Sequence, residues 1–243
     1  MSKGCVIFDF DGVIADTERL HLHAYNQTLA AHAEVVGGHL QIDPQSYFTR
    51  YIVYGDREGL WHMLRDNGRP HEDALIERLA AAKHDAFEAM ITAGATQALL
   101  PGVSGLLEWL EARNVPRAIC SGARRGEILP LLESFQLRHH FDIIVTIEDV
   151  RRGKPDPEGY NLAFDKLNLE YDAELEKVFS LVIEDSAGGI AAGKAAGLRV
   201  LGVANSLPLA ELQRHATFAV ESMEKLDRGQ LGAWLGISHH DTT

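Results

Sequence analysis

Five short apolar runs limit what this chain can fold into: around Cys5 to Phe10, Arg117 to Ser121, Asp142 to Thr146, Val178 to Glu184 and Arg199 to Ala204. Each is too short and too uniformly apolar for an amphipathic helix, so each reads as a strand buried on both faces. Helical patterns lie between the later runs. Val103, Leu106, Leu107 and Leu110 follow an i, i+3, i+4, i+7 spacing, and the stretch from Ser186 to Ala196 is similarly helical. Alternating strand and helix predicts an α/β fold built on a parallel sheet.

The first strand departs from this rhythm, because roughly 100 residues separate it from the next, far more than an ordinary crossover requires. From Thr17 to about Ala98 the chain carries helical patterns, such as Leu60, Met63 and Leu64, then Ile76, Leu79, Ala80 and Phe87, and no convincing strand. The expected organisation is a core made of residues 1–16 and 99–243, with a helical cap, residues 17–98, inserted after the first strand. Asp16 and Thr17 at one end, and Gly94 to Gly102 with Pro101 at the other, are the expected hinges. Residues His239 to Thr243 read as a frayed tail.

A chain of 243 residues buries an ample core without crosslinks or structural metals. Its two cysteines, Cys5 and Cys120, both fall inside strand-like runs, so a disulfide framework is not expected and a reducing compartment, the cytoplasm, is. No apolar stretch reaches the ~18 residues of a membrane span, and the N-terminus lacks a signal-peptide layout. A formal charge of −12 repels nucleic acid and anionic membrane surfaces, which are bound chiefly through clustered Lys and Arg. Neither is expected as a partner, and the sequence does not decide between monomer and homodimer. The same field opposes a phosphorylated ligand at long range, so a phosphate site needs its own metal ion or local cations.

Four places supply such groups. In Phe8-Asp9-Phe10-Asp11-Gly12-Val13, two carboxylates two residues apart end a buried strand, at the edge of the sheet where open α/β folds bind ligands. Close carboxylates call for a cation or a shared proton, although a solvated Asp-Gly turn has the same letters. Glu184-Asp185 closes another strand. Hard oxygen donors of this kind suit Mg²⁺ better than zinc, while a helix N-cap at Asp185 or Ser186 is the simpler alternative. Ser121 and Gly122 end the second core strand, offering a hydroxyl and glycine-freed amides for phosphate oxygens, or only a strand-to-helix turn. Lys154, in Gly153-Lys154-Pro155-Asp156-Pro157, sits on a proline-stiffened loop, either as a cation for developing phosphoryl charge or as a surface lysine.

Some apparent signals fail. Gly188 to Lys194 has the GxxxxGK spacing of a phosphate loop, but Ala195 follows where Ser or Thr should supply the magnesium-binding hydroxyl. A helix of small residues packed closely on the sheet explains Gly189 and Gly193 better. Gly12 comes too early for a calcium-binding EF-hand loop, and His21 and His23 face different sides of a helix, a poor zinc pair.

With these residues in hand, the chain resembles the haloacid dehalogenase (HAD) superfamily, and within it the branch of β-phosphoglucomutase and CbbY-type sugar-phosphate phosphatases. Four motifs match in order and cover the chain almost end to end: FDFDGV at 8 to 13, Ser121 after an apolar strand, Lys154 in GKPDP, and Glu184-Asp185 before SAGGIAAGKAAG. The resemblance implies a Rossmann-like core with an inserted helical cap. It also implies Asp9 as the nucleophile that forms an aspartyl-phosphate, and Asp11 as general acid and base. Mg²⁺ would be held by Asp9, the Asp11 backbone carbonyl and Asp185, with Glu184 in or beside the shell, while Ser121 and Lys154 hold the phosphoryl oxygens. His21, Arg57 and Lys83 fall at positions resembling cap contacts to substrate. Arg124 and Arg125, after Ser121, join them as candidates for a second, distal phosphate. The implied activity is a Mg²⁺-dependent phosphatase acting on a small phosphorylated metabolite, a sugar phosphate or bisphosphate. A sugar phosphomutase is the alternative, and a non-catalytic sensor of phosphometabolites is disfavoured because Asp9 and Asp11 are both present.

Overall fold

The computed structural model describes residues 2–52, 54–93, 99–172 and 174–237. The chain divides into two compact units, one of Met1–Asp16 with Leu99–Thr243 and one of Thr17–Ala98. The tail from His239 and most of the Gly94 to Gly102 hinge lie outside the described residues.

The first unit is built on a six-stranded sheet of β1 (Val6–Phe8), β2 (Arg117–Cys120), β3 (Ile143–Val145), β4 (Leu181–Glu184), β5 (Arg199–Val203) and β6 (Phe218–Val220), in the order β3-β2-β1-β4-β5-β6. Every pairing is parallel, and Ile7 of β1 lies between Ala118 of β2 and Val182 of β4. The five apolar runs all form strands. Val6, Ile7, Ile119, Val182, Ile183 and Val200 are fully buried, as a sheet covered on both faces requires. The chain moves outward in one direction through β1, β2 and β3 and in the other through β4, β5 and β6. The crevice between the carboxyl ends of β1 and β4 is therefore the topological switch point, the place where such sheets bind ligands.

The helices of this unit are α5 (Val103–Glu111), α6 (Arg125–Ser134), α7 (Glu158–Glu170), α8 (Ala187–Ala195), α9 (Leu209–His215) and α10 (Arg228–Trp234). The stripe Val103, Leu106, Leu107 and Leu110 is buried, and on the sheet Tyr160, Ala163, Phe164 and Leu167 of α7 join Ile7, Ala118 and Val182 in one core. Ser186 caps α8, its hydroxyl accepting from the Gly189 amide at 3.1 Å. The small residues of α8 are used for close approach. A Cβ at Gly193 would lie 2.9 Å from Val200, and one at Gly189 only 1.6 Å from Glu184 Oε1. Lys194 turns away to donate to the His215 carbonyl, so GxxxxGK here is helix-to-sheet packing.

The second unit contains α1 (Thr17–Ala31), α2 (Pro44–Ser46) running into a π-turn at Tyr47–Tyr51, α3 (Asp56–Asp66) and α4 (Asp73–Thr92), and no strand among its described residues. Leu22, Tyr25, Leu29, Leu60, Met63, Leu64, Ile76 and Leu79 form its core. One cation is enclosed there. Lys83 is 1% exposed, its Nζ 2.6 Å from Asp56 Oδ1 and 2.6 Å from His21 Nδ1. Tyr25 donates to the same Asp56 oxygen at 3.0 Å, and the His21 ring stacks on Phe87 at 4.1 Å. A buried ammonium needs such a partner, since an uncompensated charge in an apolar site is costly. Burial, and then the Lys83 charge beside it, push the His21 imidazole down to about 3, so it is neutral and accepts from Lys83.

Two outcomes follow from this packing. Gly189→Ala should cost about 1–3 kcal/mol by forcing Glu184 aside, read as a lower urea midpoint; an unchanged midpoint would show that the helix slides without penalty. His21 is held below its unfolded pKa of 6.5, so between about pH 3 and 6.5 the unfolded chain binds a proton that the folded one refuses. Its contribution is complete above pH 6.5 and is lost as the pH falls, with a slope of at most about 1.4 kcal/mol per pH unit. Urea unfolding of the parent should therefore depend on pH more steeply in this window than unfolding of His21→Asn; equal slopes would contradict the assignment.

Candidate active site at the switch point

The site is assembled by two neighbouring strand tips. Asp9 follows β1 directly, and its amide donates to the Ile183 carbonyl of β4 at 3.0 Å, which fixes it beside Glu184 and Asp185. All three acids are buried, Asp9 at 7% exposure, Glu184 at 0% and Asp185 at 2%. One carboxylate oxygen from each lies within 4.8 Å of the others. After Asp9 the chain makes a tight turn in which the amides of Val13, Ile14 and Ala15 all donate to the Phe10 carbonyl. Gly12 is needed in this turn twice over. Its φ is +72°, and a Cβ there would sit 1.8 Å from Asp185 Oδ2.

Lys154 is the cation of the cluster. Its Nζ lies 2.8 Å from Asp9 Oδ1 and 2.6 Å from Glu184 Oε1, above the ring of Tyr160. Glu184 is saturated by five donors: Lys154 and the Tyr160 hydroxyl on Oε1, and the Asp185 amide, Ser186 amide and Ser186 hydroxyl on Oε2. Burial favours its protonation, but the Lys154 charge and these donors outweigh that and hold it below the usual carboxylate range. Burial also works against the Lys154 charge, yet Asp9 and Glu184 together keep the ammonium protonated. Asp9 goes the other way. Burial and then the Glu184 charge raise its carboxyl well above the ordinary value, against the pull of Lys154. Asp185 is pushed up to about 7, by burial and Glu184, with the bond from Ser206 opposing.

These opposing shifts have one cause: three buried carboxylates face one ammonium. One ammonium does not balance all three, and the carboxyls of Asp9 and Asp185 are held above their ordinary range for want of another positive charge. The donors on offer are carboxylate oxygens, the set preferred by a hard divalent ion such as Mg²⁺, so the residues present fit that metal. A second cluster, Glu111, His139 and His140, also brings ligand-type atoms within 4.8 Å. There the Arg117 guanidinium already stands 3.8 Å from Glu111 and 3.5 Å from His140 and balances the charge.

Ser121 follows β2 and reaches the same crevice, its hydroxyl 3.3 Å from Asp11 Oδ2 and accepting from the Ala123 amide at 3.0 Å. Ser121, Gly122, Lys154 and Tyr160 line one cavity. Gly122 has open space around its Cβ position and no positive φ, so the conformational freedom expected of it is not used. The sequence reading thus meets a compact group of Asp9, Asp11, Ser121, Lys154, Glu184 and Asp185.

Most of the remaining candidates have partners of their own. Arg124 is exposed at the N-cap of α6, and Arg125 pairs with Asp149 at 2.8 Å and the Ile144 carbonyl at 3.1 Å. His21 and Lys83 share the buried cluster described above, while Arg57 pairs with Glu77 at 2.5 Å and Asp73 at 3.2 Å. Three site residues escaped the sequence reading: Tyr160, Asn205 and Ser206. The polar pair at the end of the fifth apolar run was a usable signal, because it follows a strand on the ligand-binding edge.

Comparison with known proteins agrees with this geometry. Residues 6–203 match the model of the haloacid dehalogenase-like hydrolases. The chain is 32% identical over 206 residues to a phosphorylated carbohydrates phosphatase of Thermotoga maritima, covering 83% of this chain and 86% of that one. It is 31% identical over 204 residues to protein CbbY of Rhodobacter capsulatus, covering 83% and 85%. A crystal structure of a CbbY variant from Rhodobacter sphaeroides with xylulose-(1,5)bisphosphate superposes with a TM-score of 0.74 at 26% identity, over 93% of this chain and 96% of that one. Among the described residues, no helix is long and apolar enough to cross a membrane. The family match and the acids gathered at the switch point lead to one conclusion: this chain is an enzyme of the haloacid dehalogenase-like hydrolase family, in its CbbY-like branch.

Proposed function

We propose that the protein is a Mg²⁺-dependent phosphatase that removes the phosphoryl group of a small sugar phosphate through a covalent intermediate on Asp9. The observation that carries this reading is the position of Asp9, buried at a strand tip, 2.8 Å from a lysine and grouped with a second strand's acids. In this reading Asp9, the Asp11 backbone carbonyl and Asp185 hold the ion. When bound, Mg²⁺ would supply the missing positive charge and polarise the phosphoryl oxygens. Glu184, already taken by five donors, serves to fix Lys154 rather than to bind metal directly.

The residues then divide the chemistry. The Asp9 carboxylate attacks phosphorus, an Asp9 oxygen–phosphorus bond forms, and the bond from phosphorus to the sugar oxygen breaks. Asp11 gives its proton to the departing alkoxide. Lys154 and the Ser121 hydroxyl hold the phosphoryl oxygens and offset charge that grows in transit. In the second half, ionised Asp11 takes a proton from water, whose oxygen bonds to phosphorus while the bond to Asp9 breaks. Inorganic phosphate leaves, and Asp11 is protonated for the next cycle.

The substrate class is supported by the relatives, one named for phosphorylated carbohydrates and one structure holding a ketose bisphosphate. Within this class the resting ion pairs favour a monophosphate. Arg57, Lys83 and Arg125 each have a carboxylate partner, so a distal phosphate must compete with Glu77, Asp73, Asp56 or Asp149. The inserted unit is proposed to serve as the cap domain that discriminates among substrates.

A panel of phosphorylated sugars and small acids, assayed with Mg²⁺ for phosphate release and for isomer interconversion, tests this reading. Release without interconversion is expected, and chelation of Mg²⁺ should abolish it. Asp9→Asn should lower turnover by at least about 10⁴-fold with an unchanged circular dichroism spectrum, as for loss of other catalytic nucleophiles. Near-normal turnover in that variant would refute the nucleophile, and interconversion without release would replace the phosphatase by a mutase.

A further inference from the structure

The loop that leaves β5 carries two side chains without a place in the chemistry above. Asn205 Nδ2 donates to the Gly12 carbonyl at 2.6 Å, and the Ser206 hydroxyl donates to Asp185 Oδ2 at 2.5 Å. Two adjacent residues thus reach both halves of the site, the turn after β1 and the acid after β4. Simple anchoring of a surface loop needs no particular acceptor. Here the two acceptors belong to residues packed against each other, because a Cβ on Gly12 would fall 1.8 Å from the very oxygen that Ser206 engages. Asp185 Oδ2 is therefore enclosed by the bare Cα of Gly12 and by the Ser206 hydroxyl. With Oδ2 committed, Oδ1 is the oxygen left to face a cation.

We propose that Asn205 and Ser206 are positioning residues for the divalent metal: Ser206 fixes the rotation of the Asp185 carboxylate, and Asn205 fixes the turn whose Asp11 carbonyl completes the donor set. This rests on the reading of Asp185 as a metal ligand. The physical ground is general, since hydrogen bonds behind a ligating carboxylate set its direction, and losing one costs roughly 10- to 100-fold in metal affinity or activity. Both act through Gly12 and Asp185 rather than on the phosphoryl group, so in this reading neither is catalytic.

The test measures Mg²⁺ binding itself, by calorimetry on the resting protein without substrate, for the parent, S206A, S206T, N205A and D185N. S206A and N205A should each weaken Mg²⁺ roughly 10- to 100-fold. S206T, which keeps the hydroxyl, should bind close to the parent, and D185N should lose binding. Loss in D185N with parental binding in both S206A and N205A overturns the positioning role and leaves the metal reading standing. Parental binding in D185N overturns both. The two alanine variants break different hydrogen bonds, so if melting curves show one to be misfolded the other still decides.

Discussion

The Lys154 ammonium, caught between Asp9 and Glu184, is the contact on which the rest of this site depends. A parallel sheet brings the tips of β1 and β4 side by side, and both tips end in acids. Crowded carboxylates repel, and burial raises the penalty for each charge. Lys154 answers part of it. Tyr160 and the amides that start α8 answer more, by saturating Glu184. What they leave uncompensated falls on Asp9 and Asp185, whose carboxyls are held above their ordinary range. An acid whose carboxyl is held above its ordinary range for lack of a cation is poised to receive one. In the proposed reading, metal binding and nucleophile activation are two results of the same charge imbalance.

The glycines express the same demand in steric form. Gly12 and Gly189 stand where a Cβ would strike Asp185 and Glu184, so neither acid could occupy its present position beside a larger residue. Stability is spent at both places to make room for carboxylates that, without partners, would destabilise the core. Strain of this kind collects where function requires it.

Much of this was readable in advance because burial and periodicity leave strong marks. The first five strands announced themselves as apolar runs, and the acids at the ends of the first and fourth were legible as ligand-edge residues. β6 was not, for Phe218–Val220 is three residues long at the sheet edge and only half-buried, so its apolar run is too brief to stand out. The cations of the inserted unit were visible but their partners were not. Lys83 reads as a surface group from its letters, yet it is enclosed by Asp56, His21, Tyr25 and Phe87, brought together from α1, α3 and α4. Glu184 was legible as an acid of the ligand edge, but its five donors, which come from three separate segments, were not. Asn205 and Ser206 were hidden by the distance in sequence, 193 residues from Gly12 and 21 from Asp185. Local pattern shows which residues reach an edge, while pairing across the edge is settled by topology.

The most direct test is to locate the ion. Anomalous diffraction from crystals grown with Mn²⁺, a stand-in for Mg²⁺ with the same preference for oxygen, should show one peak at coordination distance from Asp9, Asp185 and the Asp11 carbonyl, with Lys154 still against Glu184. No peak there at saturating Mn²⁺, or a peak coordinated by neither Asp9 nor Asp185, would contradict a shared cation between the two strand tips.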